Sequence, residues 1–340
     1  MKTLAVWYTS KEEDVDVKLD VHINFWRLEG KKTKNSLLDL GFLIYDISKL
    51  DTLNIHFPFD LDLNDIEDLG EKFRKDQKLV NSIFNENYEV HIGTEPKQLS
   101  VQENGKTIFN IYSLDFSQSD CILDKPKWDG TLLSVDLSSI DILYGCSKYY
   151  FRFRLKGKVL EYFRRKHIPK LNFFQSAFTA TEIIEFRLNE KRNYQISLSE
   201  AIKRKNEFRI VKIHFLLMRK SDEDFESNHI KATCRFLEPN LWSYYVGKEY
   251  DLKDIVAYHW SEKKEDGDKF IDSFNTLAKV KYHNENWLTI GKYFLYIAGL
   301  AIFFNIISGV IINQFGLFKN SPSTTESSPS SLEKPKENQY

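Results

Sequence analysis

Basic side chains concentrate in the middle of the chain, where aromatic residues are mixed with them. Residues 147–215 contain 17 Lys and Arg against 6 Glu, an excess of 11 positive charges, whereas the whole chain has a net charge of −1. A surface with such an excess attracts polyanions, and interspersed aromatic rings can stack on bases. We therefore predict a polyanion-binding surface formed by these basic residues: Arg152, Arg154, Lys156, Arg164, Arg165, Lys203, Arg204 and Arg209.

Three interpretations of this basic region are open from the sequence. The first is a nucleotide ligand, either a cyclic nucleotide or a single-stranded oligonucleotide. The second is the anionic lipid of the inner membrane leaflet, which also attracts basic segments. The third is a solvated surface without a ligand, or one that contacts the acidic segments of a neighbouring subunit, such as Glu12–Asp16 or Asp222–Glu226.

Sequence motifs for catalysis or metal binding are not found. The segment Asn104–Thr107 contains Gly-Lys-Thr but lacks the earlier glycine of a phosphate-binding loop, and it is typical of a hairpin turn. Cys121, Cys146 and Cys234 are too widely spaced for a structural zinc site or a disulfide framework. We therefore expect no catalytic residues, no cofactor and no metal, and we expect that the protein is not an enzyme.

Alternation of apolar and polar residues predicts a mainly β fold with few helices. It is clearest in Val17–Phe25, Tyr149–Lys156 and Ile184–Leu188. We predict an antiparallel β-sandwich-like domain, or two β-rich subdomains at residues 1–120 and 121–265. Helical spacing of apolar residues predicts one helix over residues 64–84, and another over residues 268–281 within a juxtamembrane segment, residues 266–286.

A transmembrane helix is predicted over residues 287–318. Tyr293–Ile312 is a run of 20 residues without a charge, long enough as a helix to cross about 30 Å of hydrocarbon. Lys279, Lys281 and Lys292 precede this run and only Lys319 closely follows it. This asymmetry predicts a single-pass protein of the inner membrane with its N-terminal domain in the cytoplasm. No secretory signal is recognised, and the Ser- and Pro-rich tail, residues 319–340, is expected to be disordered.

Small and polar residues recur at three- and four-residue steps within the predicted span. On a helix they form one stripe: Ala298, Ala301, Asn305, Ser308, Gly309 and Ile312. Small residues let membrane helices approach each other, and a membrane-embedded asparagine is best satisfied by another helix or by water. We therefore predict a homo-oligomer through this helix. The stripe is compatible with a narrow pore, with a packed bundle that conducts nothing, and with a plain anchor.

This domain order resembles that of the membrane effectors of bacterial anti-phage signalling systems, and among them it is similar to the transmembrane effector of the Hailong system. The resemblance covers the whole chain coarsely and is carried by the basic region Arg152–Arg209 and the stripe Ala298–Ile312. It implies a cytosolic domain that reads a nucleotide signal made by a nucleotidyltransferase partner, and an oligomeric span that permeabilises the inner membrane. In that family the signal is single-stranded DNA, which holds the channel closed. The alternatives are a membrane-anchored scaffold without channel activity and a membrane-tethered enzyme.

Overall fold

The computed structural model describes residues 3–12, 15–30, 34–93, 95–117, 120–126, 128–167, 179–203, 206–227, 232–264, 269–283 and 287–315. The chain divides into two compact units, residues 1–284 and residues 285–340. The first unit is the β-rich unit, and the second contains the long C-terminal helix.

Strands dominate the first unit, as the alternation predicts. They are β1 (Ala5–Ser10), β2 (Lys18–Gly30), β3 (Lys34–Ile44), β4 (Leu50–Phe57), β5 (Ile66–Asp68), β6 (Glu89–Ile92), β7 (Gln98–Glu103), β8 (Lys106–Tyr112), β9 (Cys121–Asp124), β10 (Thr131–Asp136), β11 (Tyr149–Lys156), β12 (Arg164–His167), β13 (Thr179–Leu188), β14 (Arg209–Lys220), β15 (Asp224–Ser227), β16 (Thr233–Phe236), β17 (Tyr250–Asp251), β18 (Ile255–Lys263) and β19 (Phe274–His283). The α-helices are α1 (Gly70–Lys75), α2 (Lys78–Phe84), α3 (Ile196–Lys203), α4 (Pro239–Val246) and α5 (Trp287–Phe315).

Three sheets form from these strands. The large sheet has 11 strands, in the order β16-β18-β14-β2-β3-β11-β8-β7-β6, with β17 paired to β2 and β5 paired to β11. Two smaller sheets have four strands each, in the orders β1-β4-β10-β9 and β12-β13-β19-β15. Pairing is antiparallel except between β2 and β14 and between β8 and β11, which are parallel. The mainly β, antiparallel fold predicted from the sequence is confirmed.

Both faces of the large sheet carry a hydrophobic core. On one face, Ile23 of β2 and Phe215 of β14 belong to a core that includes residues of the two smaller sheets. On the other face, Trp26 packs in a second core with Phe73 of α1 and Trp242 of α4. The large sheet is therefore a middle layer between smaller sheets and helices.

A β-bulge sets which residues of β14 face each core. The register with β2 shifts between Ile210, which pairs with Leu19, and Lys212, which pairs with Asp20. The extra residue is Val211, so Ile210 and Ile213 both reach the core shared with the smaller sheets. Lys212 lies on the other face of the large sheet.

The single helix predicted over residues 64–84 is wrong in its first half. The segment contains a 3-10 turn at Leu63–Asp65, then β5, and only then α1 and α2. β5 pairs with β11, and the Asp68 carboxylate accepts hydrogen bonds from the backbone N–H groups of Glu71 and Leu114. The pairing with β11 and the bond from Leu114 are non-local, and they hold the chain extended where the local apolar spacing favours a helix.

The juxtamembrane helix predicted over residues 268–281 is also wrong, because this segment forms β19. Its ten residues pair with β13 from Phe274 opposite Leu188 to His283 opposite Thr179. Ala278, Val280 and Tyr282 are buried at a spacing of two. Phe274 and Ala278 fit helical and strand spacing equally well, so the local pattern could not decide between them.

The two predicted β-subdomains do not coincide with structural units. β9 and β10 follow residue 120 yet lie in one sheet with β1 and β4, and β11 and β14 flank the β2–β3 pair in the large sheet. Residues 1–120 and 121–265 therefore contribute to the same layers.

The second unit is described over α5, a helix of 29 residues. Its segment Gly291–Gln314 is long and apolar enough to cross a membrane, with a length of about 36 Å. This agrees with the predicted span over residues 287–318. The tail, residues 319–340, lies outside the described residues.

Candidate ligand-binding cleft

A polar stripe crosses the helix-covered face of the large sheet. It is formed by these residues of β2, β14 and β18: Asp20, His22, Asn24, Lys212, His214 and His259. The parallel register of β2 and β14 places Lys212 beside Asp20 and His214 beside His22. Alternation on each strand turns the apolar neighbours into the opposite core, so the polar side chains converge on one side.

A cavity of about 600 Å³ lies over this stripe, and we call it the central cleft. Phe84, Tyr88 and Phe109 form an aromatic wall, in which the ring centroids of Phe84 and Phe109 lie 4.8 Å apart. Trp242 of α4 and Arg235 of β16 also line the central cleft. Both the volume and the mixture of aromatic and polar groups are typical of small-molecule sites.

The histidines of the central cleft are held neutral. Burial, followed by the charge of Lys212, lowers the pKa of His214 to about 3, and burial also lowers the pKa values of His22 and His259. Nδ1 of His214 lies 2.8 Å from Nε2 of His259, so one of these two nitrogens donates and the other accepts. Neutral imidazoles recognise the polar edge of a ligand without adding charge.

The Tyr150 hydroxyl links His22 to a buried arginine below the cleft. Arg152 Nη1 donates a hydrogen bond of 2.7 Å to the Tyr150 hydroxyl, which lies 3.2 Å from His22 Nδ1. The Tyr150 hydroxyl thus contacts both the Arg152 guanidinium and the His22 ring, and it donates to Nδ1 or accepts from it according to the His22 tautomer. Gly41 makes room for Tyr150, since a Cβ there would stand 2.2 Å from the hydroxyl oxygen.

Two buried polar atoms of the central cleft have no hydrogen-bond partner among the described residues. Asp20 is only 6% exposed, and its Oδ2 accepts a hydrogen bond from the Tyr45 hydroxyl at 3.2 Å, whereas its Oδ1 has no partner. Trp242 is 3% exposed, and its Nε1 also has no hydrogen-bond partner among the described residues. Burial raises the pKa of Asp20, and Lys148 and Lys212 oppose this effect. Buried polar groups are nearly always hydrogen-bonded, so these two atoms mark positions for a ligand or water.

Arg152 and Arg154 do not lie on a binding surface, contrary to the prediction. They are 0% and 1% exposed. Arg154 binds both oxygens of Asp39, with Nε–Oδ1 and Nη2–Oδ2 distances of 2.6 and 3.1 Å, and donates to the carbonyl oxygens of Tyr245 and Val246. Alternation placed the two arginines on the polar side of β11 correctly, but α4 covers that side.

Three of the predicted residues meet at a second cavity of about 510 Å³, lined by Arg154, Lys156 and Arg164. Lys158 also lines this cavity among the described residues, and four carboxylates balance the four basic side chains: Asp65, Glu67, Glu161 and Glu249. The Arg164 side chain also binds buried Glu182. This second cavity is therefore close to neutral and does not attract a polyanion as the sequence predicted.

The remaining predicted residues do not join that cavity. Arg165 is exposed on β12, and Arg209 pairs with Asp16, with its guanidinium 4.5 Å from the ring centroid of Phe270. Arg204 and the side chain of Lys203 lie outside the described residues. The predicted set thus divides among a buried cluster, a mixed-charge cavity and isolated surface positions.

In the second unit, the predicted stripe lies along α5, and its residues are exposed in the single chain. Its members are Ala298, Ala301, Asn305, Ser308, Gly309 and Ile312. The structure contains one chain, so oligomerisation through this stripe stays a prediction.

Comparison with known proteins does not extend these observations. No protein-family model matches the chain, and a search of curated proteins finds no significant match.

Proposed function

We propose that the protein is a membrane-anchored receptor whose central cleft binds a nucleotide, and that this binding controls the oligomeric state or opening of its transmembrane helix. The observation that supports this most is the convergence of aromatic rings, neutral imidazoles and basic side chains on the central cleft. These are the groups that recognise, in order, the face of a base, its polar edge and a phosphate.

The aromatic wall favours a ligand with a flat ring. Phe84, Tyr88 and Phe109 contact one another on one side of the cleft, and Phe84 also packs edge-on against His22, with 5.2 Å between ring centroids. Stacking of a base on an aromatic side chain contributes about 1–3 kcal/mol. A ligand without a ring would leave this wall uncovered.

The charges of the central cleft favour a phosphate of low charge. Among the described residues, Lys148, Lys212 and Arg235 line it together with two carboxylates, Asp20 and Glu86, which leaves one positive charge in excess. Burial lowers the pKa of Lys148, so an anion beside this ammonium group would restore its preference for the charged form. The volume suits a single nucleotide, either free or as one unit of a short oligonucleotide.

The membrane part of the proposal rests on the composition of α5 and of its flanks. Lysines on its N-terminal side favour a cytoplasmic β-rich unit in the inner membrane, and the stripe around Asn305 favours a homo-oligomer that forms a pore. A nucleotidyltransferase that makes the ligand, and a role in anti-phage defence, follow from the resemblance in domain order. The ligand must bind one oligomeric state more tightly than the other in order to control it.

Binding of nucleotides to the full-length protein in detergent tests the proposal. Titration calorimetry with AMP, GMP, CMP and UMP should detect at least one ligand, and Lys212→Glu should weaken its binding at least ten-fold. Lys253→Glu changes the same charge in the exposed turn before β18 and should bind like the wild type. If all three proteins fail to bind every nucleotide, the receptor proposal is wrong and an anchored scaffold for a protein partner takes its place.

A further inference from the structure

We infer that Asp20 selects the ligand of the central cleft by accepting a hydrogen bond from an N–H or O–H group of that ligand. The inference rests on the proposed function, and it specifies the ligand further as a phosphate ester that carries a nucleoside. Bare phosphates and lipid phosphates would be excluded.

The first step is the state of the Asp20 carboxylate. It is almost completely buried at the start of the polar stripe, and only Oδ2 has a partner, the Tyr45 hydroxyl. Lys212 is its neighbour on β14, and Lys148 lies with its Nζ 4.0 Å from the centroid of the Tyr45 ring, yet neither donates a hydrogen bond to Oδ1. A buried acceptor without a donor destabilises the site, and a ligand that supplies the donor recovers that cost.

The second step is that the other unpartnered atom has the opposite polarity. Trp242 Nε1 can only donate, and this residue lines the central cleft from α4. A ligand that satisfies both atoms carries at least one donor and one acceptor. Nucleosides have both kinds of group on the base and on the sugar.

The third step is what Asp20 rejects. Fully ionised phosphates present acceptor oxygens only, and they would meet a carboxylate that has no hydrogen to offer while it is ionised. Lys148, Lys212 and Arg235 attract such anions, so a cleft without Asp20 would bind pyrophosphate and lipid phosphates more tightly than the wild-type cleft does. Sites built to hydrogen-bond a ligand group discriminate strongly against analogues that lack it.

Asp20→Asn tests the inference in the full-length protein because its effects on two probes should have opposite signs. The tightest-binding nucleotide should lose at least ten-fold in affinity, since an amide presents a competing donor. Inorganic pyrophosphate should bind more tightly, since a negative charge has been removed. Asp222→Asn removes the same charge from an exposed turn and should change neither affinity more than two-fold.

A change in the ligand gives a test that does not depend on folding of the variant. The 2′-deoxy and N-methylated analogues of the same nucleotide each lack one donor, and one of them should bind the wild type at least ten-fold more weakly. That loss should disappear in Asp20→Asn, because the two changes remove the same hydrogen bond.

If both analogues bind the wild type as well as the parent nucleotide, or if Asp20→Asn strengthens binding of nucleotide and pyrophosphate alike, Asp20 is not a selector. In either case nucleotide binding by the wild type would still support the receptor proposal, whereas a wild type that binds no nucleotide contradicts both.

Discussion

Asp39 is the residue on which the buried polar cluster of the large sheet depends. Its two carboxylate oxygens accept hydrogen bonds from Arg154, Trp26 and Tyr245, and Arg152 lies 3.9 Å away. The nearby arginines keep the pKa of Asp39 lowered despite its burial. This one carboxylate is the counter-charge of two buried guanidinium groups.

Asp39→Leu should therefore lower the free energy of unfolding by about 3–5 kcal/mol, because it leaves two arginines buried without a counter-charge. Urea unfolding followed by tryptophan fluorescence measures the change. Arg209→Leu breaks a half-exposed ion pair with Asp16 and should cost less than about 1 kcal/mol. Equal costs for the two variants would contradict this account of the buried cluster.

The neutral state of His22 predicts a dependence of stability on pH. Its folded pKa lies well below 6.5, chiefly because of burial, so the unfolded chain binds protons that the folded chain does not. The free energy of unfolding should therefore fall as the pH decreases below about 6.5, by about 1 kcal/mol for this histidine between pH 7.5 and 5.5.

His22→Gln should reduce the difference in unfolding free energy between these two pH values by about that amount. The same measurement on His91→Gln, a substitution on exposed β6, is the control and should leave the difference as in the wild type. An unchanged difference in His22→Gln would mean that His22 takes up its proton equally in both states.

The sequence predicts on which side of a strand each basic residue lies. Arg152 and Arg154 do share one side of β11, as alternation predicts, but only the tertiary structure shows that Tyr245 of α4 covers them. Likewise, Asp20 and His22 form a visible polar side of β2. Their partners on β14 come from a distant part of the chain through parallel pairing, which no local pattern encodes.

At the level of the elements, a glycine in the interior of β3, Gly41, leaves room for the Tyr150 side chain of β11. A Cβ at Gly41 would stand 2.2 Å from the Tyr150 hydroxyl oxygen, the group that orients His22. Glycine usually weakens a strand, so its presence here reflects the side chain that crosses it.

Gly41→Ala should displace Tyr150, lower the free energy of unfolding by about 1–3 kcal/mol through overpacking, and weaken nucleotide binding. Gly93→Ala is the control, since the nearest atom to its added Cβ, the Tyr144 hydroxyl oxygen, is 3.3 Å away at an exposed side chain. Both unfolding and binding are measured, and a Gly41→Ala protein that matches the control in both would contradict the proposed link between β3 and the cleft.

The sequence pattern predicts β2, β11 and α5 correctly, whereas it predicts a helix where the structure has β5 and β19. β19 was predicted as a helix because its apolar residues also fit helical spacing, and pairing with β13 decides the matter in the fold. The helix at residues 64–84 is interrupted because β5 pairs with β11. In both cases hydrogen bonds to distant strands override the local preference.

At the level of the whole molecule, the stripe of small and polar residues on α5 predicts that ion conduction depends on Asn305. Asn305→Leu should abolish ion flux through liposomes that contain the full-length protein, because the variant removes the only amide from the stripe. Phe303→Leu changes a residue on the other side of the helix and should retain flux. If the wild type conducts no ions with or without nucleotide, α5 is an anchor and not a pore.

The claim that the central cleft is the nucleotide site is tested most directly by hydrogen–deuterium exchange of the full-length protein, with and without the best-binding nucleotide. We predict that bound nucleotide slows exchange in Ser82–Tyr88 and Thr233–Trp242, which border the cleft. Exchange in Lys156–Arg164, beside the second cavity, should stay unchanged. Slower exchange confined to Lys156–Arg164, or no change anywhere at saturating nucleotide, would contradict the assignment.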